Sequence, residues 1–295
     1  VKQSACILVL LCALVSPTQV QAQKLIHSER SLYREVLVYE QDGERCMCFT
    51  RGCRIGRQTC MNTQAPARFV MNYTRMMMSA LFIDPQPKSI LIVGLGGGTL
   101  PNALHQLLPT ATIDVVEIDP AVVRVAERFF GFRKSDRVRV AEMDGRVFVK
   151  RAGREGRRYD LVMLDAFDHE YIPEHLLTKE FLEEVAALLS PEGVLAANTF
   201  SSSRLYDYES VTYAAVFGTF FNLKTENRVI LARKNGLPPI AQVERNAAQL
   251  KAPFARLGID VERSVALFST RVDWDRQTKV LTDQFSPANL LNLRE

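Results

Sequence analysis

The chain has 295 residues, 47% of them hydrophobic and 24% charged, with a formal net charge of +4. That balance excludes a disordered or fibrous chain and suits a large domain with a smaller one beside it. The basic excess is too mild to drive association with nucleic acid or an anionic lipid surface.

Residues 1–22 stand apart. Lys2 is the only charge there, an apolar run extends from Ala5 to Val15, and Val20-Gln21-Ala22 precedes Gln23 as a small-residue cleavage site. The run is short for a bilayer span, so a secretory signal peptide is expected, with export to the periplasm. An uncleaved membrane anchor is the alternative. Residues 23–66 are expected to form a small antiparallel β domain. Tyr33 to Tyr39 partly alternates, and Asp42-Gly43 and Arg51-Gly52 are turn signals. This stretch holds Cys46, Cys48, Cys53 and Cys60. Four clustered cysteines in an exported chain predict up to two disulfides, with connectivity open. The spacing lacks the paired C-x-x-C knuckles of common zinc sites. Cys46 and Cys48 should share a face, because strand side chains repeat every two residues.

Residues 67–236 are expected to form a Rossmann-like domain. Phe69 to Phe82 reads as a helix rich in methionine, taken as core filler, and Asp84-Pro85-Gln86-Pro87 breaks it. Ile90 to Val93 is a wholly apolar run, as in a strand buried on both faces. Leu100, Ala103, Leu104, Leu107 and Leu108 have helical spacing. Ile113 to Ile118 is the next strand, and Asp119-Pro120 opens a helix that Gly131 ends. Val138 to Met143, Leu161 to Leu164 and Val194 to Ala197 read as further strands, Thr178 to Leu189 as a helix, and Val229 to Ala232 as a late strand. Repeated βα units predict a parallel, doubly wound sheet. Residues 237–295 read as a polar, helical extension without a chemical motif.

The candidate chemistry lies at strand ends, where open α/β sheets bind ligands. Gly94-Leu95-Gly96-Gly97-Gly98-Thr99 follows a strand and opens a helix. A dinucleotide fingerprint needs glycine at Thr99, whereas the G-x-G-x-G spacing of Gly94, Gly96 and Gly98 suits an S-adenosylmethionine-type ligand. Glu117 ends the next strand, where a carboxylate accepts hydrogen bonds from ribose hydroxyls. Asp144 ends the third strand, placed to bond an adenine amino group or to cap a helix. Asp165 and Asp168 follow the fourth, where one carboxylate can act as base while the other holds a cationic substrate. His169 and His175 lie nearby without ligand spacing, so no metal is expected. The fold class expected is α/β, a Rossmann-like S-adenosylmethionine-dependent methyltransferase fold with a small N-terminal antiparallel β domain.

In these motifs the sequence resembles the spermidine synthase family, the polyamine aminopropyltransferases, over about Ser31 to Lys234. The resemblance is carried by Ser31-Leu32-Tyr33-Arg34, the loop at Gly94, Val116-Glu117-Ile118-Asp119-Pro120, Asp144-Gly145, and Tyr159-Asp160-Leu161-Val162-Met163-Leu164-Asp165. The tail Leu281-Thr282-Asp283-Gln284-Phe285-Ser286-Pro287 is similar to the end of a bacterial spermidine-synthase-like subgroup. The resemblance implies aminopropyl transfer from decarboxylated S-adenosylmethionine to a small-molecule amine of the polyamine class. It assigns Gly94, Gly96, Gly98, Glu117 and Asp144 to the nucleoside, Asp165 as base, and Asp168 and Tyr73 to the acceptor. It also implies a homodimer. The sequence departs from the family where an aspartate of the glycine loop is Gly97, where the glutamate of Tyr-His-Glu is Arg75, and where the glutamine after the early tyrosine is Arg34. Asp165-Ala166-Phe167-Asp168-His169 also lacks the family's serine and proline. Two lost carboxylates keep two alternatives open. One is a methyltransferase using intact S-adenosylmethionine. The other is a non-catalytic periplasmic protein that binds a nucleoside or polyamine.

Overall fold

A computed structural model describes residues 23–53, 56–166 and 173–291. The expected signal segment at 1–22 lies outside the described residues.

The N-terminal unit is a four-stranded antiparallel sheet in chain order: β1 (Lys24–Arg30), β2 (Glu35–Gln41), β3 (Glu44–Cys48) and β4 (Arg57–Asn62). Asp42 and Gly43 both have positive φ, 50° and 79°. That is the twist a two-residue hairpin needs, and it joins β2 to β3 where the dipeptide predicts a turn. Cys46 stands opposite Cys60 in the β3–β4 register. The two are joined by a disulfide, and a second links Cys48 to Cys53. The strand period sorts the sheet into two apolar faces. Val36, Val38 and Met47 pack on Ala121, Val122, Val125 and Phe130 of the larger domain. Leu37, Tyr39 and all four cysteines fill the other face against Val70 and Met71.

The larger unit begins with α1 (Asn72–Met78) and a 3-10 turn at Ser79–Phe82. The chain then alternates β5 (Ser89–Val93), α2 (Thr99–Leu107), β6 (Thr112–Glu117), α3 (Pro120–Phe129), β7 (Val138–Glu142), α4 (Gly145–Arg154), β8 (Tyr159–Leu164), α5 (Lys179–Leu188), β9 (Leu189–Thr199), α6 (Leu205–Phe217), β10 (Phe221–Lys224) and β11 (Arg228–Arg233). These strands form a seven-stranded sheet in the order β10-β11-β9-β8-β5-β6-β7. Strands β5 to β9 pair in parallel, while β11 runs antiparallel to both β9 and β10. The wholly parallel sheet expected from the βα repeats is thus corrected at one edge. Strand β10 was not foreseen, because its four residues, Phe-Asn-Leu-Lys, are too few to show a period. The strand expected at Val194 to Ala197 is longer and begins at Leu189, directly after α5.

The apolar runs are continuous because both faces of the sheet are covered. Ile90, Ile92, Ile113, Val115 and Met163 point to one side and pack with α1 and α2. Leu91, Val93, Val116, Val162 and Leu164 point to the other side, against α4, α5 and α6. After β11 come α7 (Ile240–Arg256) and α8 (Val261–Val265). Val243, Ala247 and Phe254 of α7 join the first of these cores beside Phe82. The chain then continues without regular structure, apart from a Thr282–Phe285 bridge, to α9 (Ala288–Leu291). The uniformly helical tail expected from sequence is corrected there. Among the described residues, no helix is long and apolar enough to cross a membrane.

Candidate active site

A cleft of about 1120 Å³ opens above the carboxyl ends of β5, β6, β8 and β9. Phe49, Gly56, Arg57 and Gln58 of the β domain form part of its wall. The β domain is held to the sheet at this point. Asp119 caps α3 by accepting from Ala121 N at 2.9 Å, and its other oxygen accepts from the Ser31 hydroxyl at 2.6 Å. Ser31 of the Ser31-Leu32-Tyr33-Arg34 run therefore ties the small domain to the cleft's rim.

Gly94 leaves β5 with φ +101°, a region L side chains avoid. A Cβ there would lie 2.1 Å from the Asp165 carbonyl oxygen. The missing side chain lets the ends of β5 and β8 close on each other, with Asp165 N donating to Val93 O at 2.8 Å. Gly94 and Gly96 line the cleft. Gly98, expected from the sequence to contact ligand, is placed differently from the other two. It is buried as the N-cap of α2, packed on Phe132, and lies outside the cleft lining.

Glu117, at the end of β6, receives Leu95 N at 3.1 Å on one oxygen and Asp119 N at 3.0 Å on the other. Burial outweighs these bonds and holds its pKa above the ordinary carboxylate value. With Ile118 as a third backbone donor, the carboxylate keeps one of its lone-pair sites for a diol hydroxyl in the cleft. Asp144 takes the capping role, and its second oxygen is engaged by a side chain that the sequence did not pair with it. One oxygen caps α4 through Val147 N at 2.9 Å, and the other meets His175 Nε2 at 2.8 Å. Burial raises its pKa, but the bonds from Val147 and His175 prevail and leave it below the ordinary value. His175, weighed as a metal ligand in the sequence, is thus the partner of Asp144.

Asp165 stands at the end of β8 on the cleft floor, and the Tyr73 hydroxyl of α1 faces it. Asn198 Nδ2 donates to its Oδ1 at 3.0 Å. Burial raises the Asp165 pKa to about 7, against the bonds from Asn198 and Tyr73, and the Glu117 charge pushes it the same way as burial. Burial first, and then the Asp165 charge, push the Tyr73 phenol well above its ordinary value. A carboxyl poised near neutrality beside a phenol that stays protonated is a proton acceptor with a fixed orienting donor. Asp168, the expected acceptor-binding carboxylate, lies outside the described residues.

The two lost carboxylates have a structural account. Arg75 turns away from the cleft, donates to the Phe69 carbonyl, and is not among its lining residues. Burial, and then the charges of Arg68 and Arg263, lower its pKa. A Cβ on Gly97 would lie 2.6 Å from Thr59 Cγ2 and 3.1 Å from Phe130, so this position is closed between β4 and the end of α3. Neither substitution puts a positive charge in the cleft. Sequence reading missed Asn198, although it follows the apolar run Val194 to Ala197 near the end of β9. It also missed Glu226, which lines the cleft and accepts from Asn72 Nδ2 at 3.0 Å, beside Tyr73. Arg34 lies over the Phe49 ring at 4.3 Å on the cleft's wall. The cluster of Glu44, Cys46 and Cys60 offers no pair of thiolates, because its two cysteines are bonded to each other.

A model of the spermine/spermidine synthase domain matches residues 70–230. The chain is 47% identical over 290 residues to a polyamine aminopropyltransferase of Vibrio vulnificus (strain CMCP6), covering 96% of each chain. The crystal structure of human methyltransferase-like protein 13 in complex with SAH superposes with a TM-score of 0.55 and 27% identity, over 73% of this chain and all of that one. The spermidine synthase of Thermotoga maritima shares the fold with a TM-score of 0.62 at 20% identity, over 84% of each chain.

Proposed function

The chain belongs to the spermine/spermidine synthase family, and from that premise we propose that it moves an aminopropyl group from decarboxylated S-adenosylmethionine to a polyamine acceptor. It is a transferase. The observation that carries the reading is Asp165, poised near neutrality on the cleft floor between Tyr73 and Asn198.

An acceptor amine is an ammonium ion at neutral pH and has no lone pair to attack with. Ionised Asp165 attracts it and takes one proton, and the low dielectric strengthens that pull. The freed nitrogen attacks the aminopropyl methylene bonded to sulfur. The new C–N bond forms as the C–S bond breaks, and the sulfonium leaves as neutral methylthioadenosine. Tyr73 and Asn198 hold the carboxylate in place. Gly94 and Gly96 admit the nucleoside, Glu117 holds its ribose, and Asp144, fixed by His175, stands toward its adenine. Asp168 remains the proposed second anchor for the acceptor.

Purified protein incubated with decarboxylated S-adenosylmethionine and putrescine or spermidine should release methylthioadenosine over many turnovers. Absence of release with every polyamine would refute the proposal. Gly97 leaves the loop without the carboxylate that would hold an aminopropyl ammonium, and this favours a second reading, methyl transfer from intact S-adenosylmethionine. Formation of S-adenosylhomocysteine when intact S-adenosylmethionine replaces the decarboxylated form would select it. The two disulfides support export to an oxidising compartment. Fractionation of cells, with the thiol state of Cys46 and Cys60 read by alkylation, tests that. A homodimer, as the family resemblance implies, is tested by light scattering.

A further inference from the structure

The polar tail around Asp283 carries no chemistry in the reaction above, yet its side chains converge on one wall of the cleft. Asp283 binds Arg146 through both oxygens, Nη1 to Oδ1 at 2.6 Å and Nη2 to Oδ2 at 2.8 Å. Arg146 stands two residues after Asp144 in the first turn of α4, with its side chain only 10% exposed. It also pairs with Glu184 of α5 and donates to the His175 carbonyl at 3.3 Å. The Thr178 hydroxyl donates to Asp283 at 2.7 Å, and Lys179 N donates to Leu281 O at 2.8 Å. Further along, the Ser286 hydroxyl donates to Glu174 O at 3.1 Å, and Asn289 binds the Glu174 carboxylate through both its backbone and its side-chain nitrogen. Leu281, fully buried, anchors the tail against Leu177, Leu205 and Ala288.

Apart from the Arg146–Glu184 pair and a bond from Asp283 N to Glu180, these bonds land on residues 174–179 or, through Arg146, on the carbonyl of His175. Pro173, His175 and Leu176 line the cleft, and His175 holds Asp144. The segment is too short to fix itself, since its regular part is one three-residue 3-10 turn at Glu174–Leu176. Its position comes from outside, and the tail supplies it.

We propose that the segment around Asp283 is a strap that sets the position of the His175–Asp144 pair, so that Asp283, Arg146 and Asn289 are positioning residues for nucleoside binding. This rests on the reading above only in taking the Asp144 end of the cleft as the nucleoside's. The acceptor side, with Tyr73, Asp165 and Asn198, receives none of these bonds. The strap therefore tunes affinity for the nucleoside and leaves affinity for the acceptor untouched.

The test uses the full chain and two variants, Asp283→Ala and Asn289→Ala, with methylthioadenosine as the calorimetric probe. A tenfold loss corresponds to about 1.4 kcal/mol, the scale of one lost charged hydrogen bond. Asp283→Ala is expected to weaken methylthioadenosine about tenfold and the milder Asn289→Ala about threefold. KM for the nucleoside should rise in step, while KM for the acceptor and kcat stay within about twofold. A strap that merely stabilised the fold would lower Tm without this split. The proposal is overturned if Asn289→Ala and Asp283→Ala, both folded by circular dichroism, bind methylthioadenosine as the parent does, or if the acceptor KM rises equally. Should Asp283→Ala not fold, Asn289→Ala decides alone. A parent protein that binds methylthioadenosine but never turns over would sink the aminopropyl reading and leave this one standing.

Discussion

Replacing Asn198 with leucine, of similar volume, removes the donor that faces Asp165 at 3.0 Å. Asp165 is pushed up to about 7 by burial, while the bonds from Asn198 and Tyr73 hold the value down. A hydrogen bond to a charged group contributes about 1.5–3 kcal/mol, and one pKa unit corresponds to about 1.4 kcal/mol. Loss of the Asn198 bond alone would thus raise the pKa by about one to two units. Water in the open cleft screens part of this, so about one unit is expected. The sign follows from the role. Asp165 must be ionised to take the acceptor's proton, so activity rises with pH through its pKa. The variant should therefore lose activity near pH 7 and recover it above about pH 8, given the shift of about one unit. The measurement is kcat/KM for the acceptor between about pH 5 and pH 9 at saturating nucleoside, followed by methylthioadenosine release. An acid limb at the same pH in parent and variant, with nucleoside affinity unchanged, would refute Asp165 as the base.

Glu117→Gln places an amide group opposite the Leu95 or Asp119 backbone donor, where an oxygen now accepts. Methylthioadenosine should bind about 10- to 100-fold more weakly by calorimetry, from one or two lost charged hydrogen bonds. Gly94→Ala puts a methyl group 2.1 Å from the Asp165 carbonyl oxygen at φ +101°. Thermal unfolding should show a loss of at least about 3 kcal/mol, or no soluble protein. Gly97→Asp, which restores the family's residue, should gain no activity in the release assay. The space it would enter holds Thr59 and Phe130, and Tm should fall. Removing the Cys46–Cys60 bridge, whose partners are 14 residues apart, with Cys46→Ser and Cys60→Ser should cost about 2–3 kcal/mol in urea unfolding.

The Rossmann-like core and most of its site were legible in the sequence for one shared reason. A strand buried on both faces must be apolar throughout, as Ile90 to Val93 and Leu161 to Leu164 are, so the first polar residue after such a run lies at the sheet's carboxyl edge. Asp165 follows that rule, while Glu117 and Asp144 stand at the same edge after strands that Asp114, Arg139 and Glu142 interrupt. Asn198 follows the rule too, but a neutral amide at a strand end carries no charge to mark it as part of an acid–base site. The pairing of the cysteines was not legible, since any of three connectivities satisfies four residues. The β3–β4 register decides for Cys46 and Cys60.

What the sequence determined alone is whatever depends on local periodicity and backbone need: the strand runs, the Asp42-Gly43 turn, the glycine at the β5 end, and the carboxylates that follow strands. Only the tertiary structure decided which way Arg75 and Gly97 face, because one residue of helical or turn phase carries a side chain into the cleft or away from it. It alone gave the tail at Asp283 its place, since that segment has no period of its own and is held by partners more than a hundred residues earlier in the chain. Contacts of that range leave no local pattern in a sequence, as their geometry exists only once the sheet and its helices have packed.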